Sequence, residues 1–188
     1  MGRNWRMAVA PDQQTELVTT GLYGLVRHPI YALSILLMLC TLVVVPTMLI
    51  SPRNIGRLLE ALEVRYLANQ DENLLFCLLT DFRDAPQQPM PDDDSLLQLA
   101  QAGIEALNER HRLRDETTDG DDIFFLLHRP RRWNAQEQTW MGYERKRGKL
   151  GDLNSLLRGG SRNAFSLIVG DTPLLIGMKY VITLDTDT

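Results

Sequence analysis

Two rhythms of hydrophobic and polar positions divide this chain. Short, nearly continuous apolar runs occur at TLVVV (41–45), NLLFCLLTDF (73–82), IFFLL (123–127), FSLIV (165–169) and YVITL (180–184). The β-branched TLVVV predicts a buried parallel strand, and the other runs predict further strands. Between them the apolar residues return every three or four positions. Ile55, Leu58, Leu59, Leu62 and Tyr66 follow Ser51 and Pro52, a cap and first-position pair. Leu96, Leu97, Ala100, Ile104 and Leu107 mark a second helix, and Leu150, Leu153, Leu156 and Leu157 a third over 145–158. RDAPQQPMPDDD (83–94) holds three prolines and predicts an exposed loop. Strand, helix, strand over 41–82 is a βαβ unit, and the alternation as a whole predicts an α/β fold with a mostly parallel sheet flanked by helices.

The run from Ile30 to Ile50 carries no charge and is long enough to cross a membrane. Its composition changes part-way. YALSILLMLC (31–40) is Leu-rich, whereas TLVVV is β-branched and meets Pro46. One membrane-spanning helix and a helix that gives way to a strand near Thr41 both fit. The change of composition favours the second, so 30–50 is not expected to be one unbroken helix.

Charge alters the picture more than composition does. The 188 residues are 44% apolar and 23% charged, with a net charge of -4, which excludes a disordered chain and a general nucleic-acid binder. Between Arg129 and Lys149, however, seven Lys/Arg stand against two acids, so this segment is +5 and the remainder -9. Local basicity of that kind suits a compact anion better than a long polyanion. Cys40 and Cys77 sit in apolar runs without CxxC spacing and read as buried thiols.

Ligands of open α/β sheets gather at the carboxyl ends of the strands. There the sequence places Thr47, Asp81, Asp84, Asp185 and Asp187. The Asp-x-Asp pair at 185 and 187 has the chemistry to hold a hard divalent cation, Mn²⁺ or Mg²⁺, although such a pair also ends many strands as a plain turn. Arg145, Lys146, Arg147 and Lys149 precede or open a helix, where backbone N–H groups also favour phosphate; a solvated basic face is the plainer alternative.

The stretches TLVVVPTMLISPRNIGRLLEALEVRYLANQDENLLFCLLTDFRDA, FFLLHRPRRWN, WMGYERKRGKLGDLNSLLRG, FSLIVGD and YVITLDTDT resemble the glycosyltransferase domain of bacterial cyclic β-1,2-glucan synthases over about 41–188. The resemblance implies the N-terminal half of a GT-A nucleotide-sugar fold, UDP-glucose as donor, a glucan acceptor and a divalent metal. It implies that Asp185 and Asp187 bind the metal. Lys149, Gly151 and Asn154 would then lie near the diphosphate or donor sugar, and Asp81 and Asp84 near the nucleoside. It also implies the bacterial inner membrane, with the active domain on the cytoplasmic side, and no nucleic-acid partner. The catalytic base is expected beyond Thr188, and the isolated chain is expected to be inactive.

Residues 2–40 resemble a different family, the isoprenylcysteine carboxyl methyltransferases, through LVTTGLYGLVRHPIYALSILLML. Arg27, His28, Pro29 and Tyr31 match its RHPxY segment, which implies an S-adenosylmethionine pocket as an alternative site and an apolar membrane helix in residues 1–40. A helix-start turn with an exposed imidazole explains the same residues more plainly. The chain thus reads as a junction near residue 40. Three functions compete: a glycosyltransferase fragment, a methyltransferase fragment, and a chain without catalysis.

Overall fold

A computed structural model of the chain describes residues 41–71, 73–112, 121–176 and 178–185. The apolar helix expected in residues 1–40, Cys40 and the methyltransferase-like residues Arg27, His28 and Tyr31 lie outside them, as does Asp187.

Among the described residues five strands form one sheet in the order β6-β3-β2-β1-β7. They are β1 (Thr41–Leu49), β2 (Leu74–Phe82), β3 (Phe124–His128), β6 (Leu167–Val169) and β7 (Tyr180–Thr183). Strands β7, β1, β2 and β3 run parallel, and β6 alone is antiparallel. Helix α1 (Pro52–Ala68) joins β1 to β2, and α2 (Asp93–Arg112) precedes β3. A hairpin of β4 (Arg132–Asn134) and β5 (Thr139–Met141) leads into α3 (Arg145–Leu157); the short α4 (Thr172–Leu175) precedes β7.

The period of two along each strand sorts the side chains into two cores. Val43, Val45, Phe76, Leu78, Phe124 and Leu126 pack with Ile55, Leu58 and Leu62 of α1 and with Ala100, Ile104 and Leu107 of α2. Leu42, Val44, Cys77, Leu79, Phe125 and Leu127 face the other way, onto Leu153, Leu156 and Leu157 of α3. Burial on both faces is why these strands read as continuous apolar runs. Cys77 is a free, buried thiol whose ionisation burial pushes far up.

The structure places a strand over Thr41–Leu49, so no helix continues through this part of the apolar run. It also extends the strand past Pro46, where the sequence suggested an end. Val44 accepts a hydrogen bond from Leu184 N at 2.9 Å, and Thr41 N donates to Asn73 O at 2.9 Å, so even positions of β1 face β7 and odd positions face β2. β7 pairs only with Thr41–Val44. The missing N–H of Pro46 therefore falls on the side that β7 has already left, and no ladder bond is lost. Ser51 caps α1 as its position suggests, its Oγ accepting from Asn54 N at 3.2 Å.

Asn108 ties α2 to the sheet. Its Nδ2 donates to Phe124 O at 2.8 Å, and its Oδ1 accepts from Phe124 N at 2.8 Å and Ile123 N at 3.1 Å. Replacing Asn108 with Ala strips partners from buried backbone groups at the start of β3. The expected cost is about 2–3 kcal/mol, read from the urea midpoint at unchanged slope. A loss below about 0.5 kcal/mol would show that water replaces the amide.

Candidate anion-binding cleft

At the carboxyl ends of β1, β2 and β7 the layers part into a cleft of about 980 Å³. This is the edge where the sheet's order reverses direction, with β2 on one side of β1 and β7 on the other. Thr47 and Met48 of β1, Asp81 of β2, Arg57 and Arg65 of α1, and Asp185 after β7 all line it. Arg83 and Asp84 come from the loop after β2, and Arg145, Lys146 and Lys149 from α3. Among the described residues, six cations therefore face three carboxylates, the reverse of the sign of the whole chain.

Beneath the cleft lies an ion-pair network shielded from water. Asp81, its side chain 4% exposed, accepts from Lys149 Nζ at 2.8 Å on one oxygen and meets Arg129 Nη2 at 3.4 Å on the other. Lys149 Nζ also donates to the carbonyl of Thr47. Burial pushes the Lys149 ammonium below the ordinary lysine range, and the Asp81 carboxylate opposes that only in part. Gly142 closes the network from above: a Cβ there would stand 2.1 Å from Asp81 Oδ2. The close approach of backbone to carboxylate admits no side chain.

The rim is looser. Lys146 pairs with Asp185, and both side chains are about half exposed. Arg145 Nη2 bridges Asp84 at 3.1 Å and Glu137 at 3.2 Å. Among the described residues no group of three or more metal-ligating side chains comes together. Asp185 stands at the cleft mouth paired with Lys146, and its Asp-x-Asp partner Asp187 lies outside the described residues.

Thr47, Asp81, Asp84, Lys149 and Asp185 thus come together at one edge, as their strand-end positions imply. Gly151 and Asn154 do not join them. Both are exposed on α3 and neither lines the cleft, because two and five residues beyond Lys149 the helix has turned away. Sequence reasoning missed Arg57 and Arg65. With Ala61 they repeat at intervals of four along α1, a signal legible as a second stripe beside the apolar one. It also missed the β4–β5 hairpin, in which Trp133 stands opposite Trp140 and Trp140 is bridged to Ala85.

Two comparisons with known proteins bear on this cleft. Over 148 residues, 79% of the chain, the sequence is 43% identical to the cyclic beta-(1,2)-glucan synthase NdvB of Rhizobium meliloti (strain 1021). This stretch is glucan-synthase-like. The chain spans 5% of the length of that relative. Residues 1–72 match the isoprenylcysteine carboxyl methyltransferase (ICMT) family. Two matches of 72 and 148 residues cannot fit in 188 without overlap, so the junction is not a clean boundary in sequence. In the fold, β1 and α1 fall within the methyltransferase-matched range yet are integral to the glucan-synthase-like sheet. Among the described residues no helix is long and apolar enough to cross a membrane.

Proposed function

We propose that the cleft is the donor site of a glycosyltransferase that moves glucose from UDP-glucose in β-1,2-glucan synthesis. The observation that carries this reading is the net positive cleft at the sheet's reversal point in an acidic chain, set in a glucan-synthase-like sequence. Arg145 and Lys146 at the start of α3 bind the diphosphate, aided by the N–H groups there. Asp84, half exposed on the rim, accepts hydrogen bonds from the nucleoside. Asp81 points inward to two cations, so its part is to hold Lys149 against the end of β1. Asp185 with Asp187 would hold a divalent cation, Mn²⁺ or Mg²⁺, which neutralises charge on the departing diphosphate. Gly151 and Asn154, facing solvent, are assigned no contact with the donor in this arrangement.

Calorimetric titration of the full chain with UDP and Mn²⁺ tests the reading. Lys146→Glu, which reverses one charge on the wall, is expected to weaken UDP binding about tenfold or more. Asp185→Ala is expected to remove the dependence on Mn²⁺. Binding that ignores both changes would sink the proposal, as would tight, salt-sensitive binding of random DNA with no competition by UDP.

The methyltransferase family match over residues 1–72 supports a second reading, an S-adenosylmethionine site using Arg27, His28 and Tyr31. It predicts thermal stabilisation by S-adenosylmethionine that His28→Ala abolishes. A chain stabilised by neither ligand would be a non-catalytic one.

A further inference from the structure

Arg129 does not line the cleft, yet it touches Asp81 beneath the cleft and the turn that leads into its basic wall. The residue is buried at the carboxyl end of β3, 3% exposed. Its Nη1 donates to Asp152 Oδ2 at 2.6 Å, one turn along α3 from Lys149. Its Nη2 donates to Tyr143 O at 2.9 Å, with longer contacts of 3.4 Å to Arg145 O and Asp81 Oδ2. The segment it grips is strained. Glu144 and Arg145 both have positive φ, 51° and 47°, a region that non-glycine residues enter at a cost and keep only when their surroundings impose it. Among the described residues no side-chain cap hydrogen bond closes the start of α3 at Glu144. Gly148 lets the turn pack down onto this guanidinium: a Cβ there would lie 2.1 Å from Tyr143 O and 3.0 Å from Arg129 Nη1.

We propose that Arg129, anchored by Asp152, is a positioning residue that clasps the left-handed turn at 144–145 and so aims Arg145 and Lys146 into the cleft to receive a diphosphate. The inference rests on the reading of the cleft as a diphosphate site. Arg129 need not touch the ligand: its planar fork spans two carbonyls and two carboxylates at once, which a lysine cannot do. Without it the turn relaxes to ordinary backbone geometry and the cationic wall loses its register.

Three variants separate positioning from the mere electric field of the guanidinium. Arg129→Lys keeps the charge and loses the fork. Arg129→Met loses both. Asp152→Asn removes a negative charge outside the cleft and leaves Arg129 in place but less firmly held. A field effect predicts that Arg129→Lys binds like wild type and that Asp152→Asn binds an anion more tightly. Positioning predicts the opposite sign: affinity of the full chain for UDP, and for pyrophosphate as a second probe, falls about tenfold in both Arg129 variants and about threefold in Asp152→Asn. Melting temperature measured alongside identifies any variant that fails to fold, and the partly exposed Asp152 provides the mild substitution. If wild type binds UDP while Asp152→Asn binds it as well or better, the inference is overturned and the cleft reading stands. If wild type binds neither probe, both are overturned.

Discussion

Lys149→Met is expected to cost about 3–5 kcal/mol of folding stability and to abolish UDP binding together. The substitution leaves the Asp81 carboxylate buried, with a single cation at 3.4 Å and Gly142 packed against it. Breaking one side of a buried pair is far more damaging than the pair was ever stabilising, because the orphaned charge keeps its full desolvation cost. It also frees the Thr47 carbonyl at the end of β1, which Lys149 now holds. Guanidinium denaturation reads the stability, and calorimetry reads UDP. The double variant Asp81→Leu with Lys149→Met is expected to recover most of the stability and none of the binding, since it removes the buried pair together while Arg129 keeps its partner Asp152. A stable Lys149→Met chain that still binds UDP would show that the network is not the floor of the site.

Between pH 7 and pH 5 the protein is expected to lose about 2 kcal/mol of stability that His128→Leu does not lose. His128 lies fully buried at the end of β3, its Nδ1 at 2.9 Å from Thr80 Oγ1 and its Nε2 without a hydrogen-bond partner among the described residues. Burial pushes its pKa down to about 3; Asp93 pulls it upward, while Arg131, Lys149 and Arg129 push it further down. The ring is therefore neutral in the fold, while in the unfolded chain it titrates near 6.5. Between those values the unfolded chain binds a proton that the folded one refuses, so stability falls as pH falls through 6.5 toward 3. Glu63 adds a separate loss at lower pH. Burial raises its pKa, but hydrogen bonds from His111 and Arg110 outweigh that and hold it below 4.5, so its contribution disappears only as pH drops through that lowered value. Urea midpoints at pH 7, 6 and 5 isolate the histidine. Parallel curves for wild type and His128→Leu would mean that His128 accepts its proton in the fold.

The sequence by itself determined the alternation of strands and helices, and hence the α/β class, because burial on one stripe or two faces imprints a period that neighbouring residues display. It also determined which strand ends carry aspartates: parallel strands direct their carboxyl ends to one edge, and Thr47, Asp81, Asp84 and Asp185 meet there. Strand pairing could not be read the same way. That β7 returns to the far side of β1, and that Pro46 is harmless inside β1 because β7 is too short to need its N–H, follow from register between segments far apart in the chain. The division of labour within the basic segment was equally hidden. Lys149 faces Asp81 while Gly151 and Asn154 face solvent, a distinction made by the rotation of α3 once its leucines are docked on the sheet. Arg129 and Asp81, 48 residues apart, looked like one more charge in a basic run and one strand-end carboxylate. Only the tertiary structure made them partners. An ion pair across elements leaves no local period, since its free energy depends on a distance and a burial that exist only after the layers have closed.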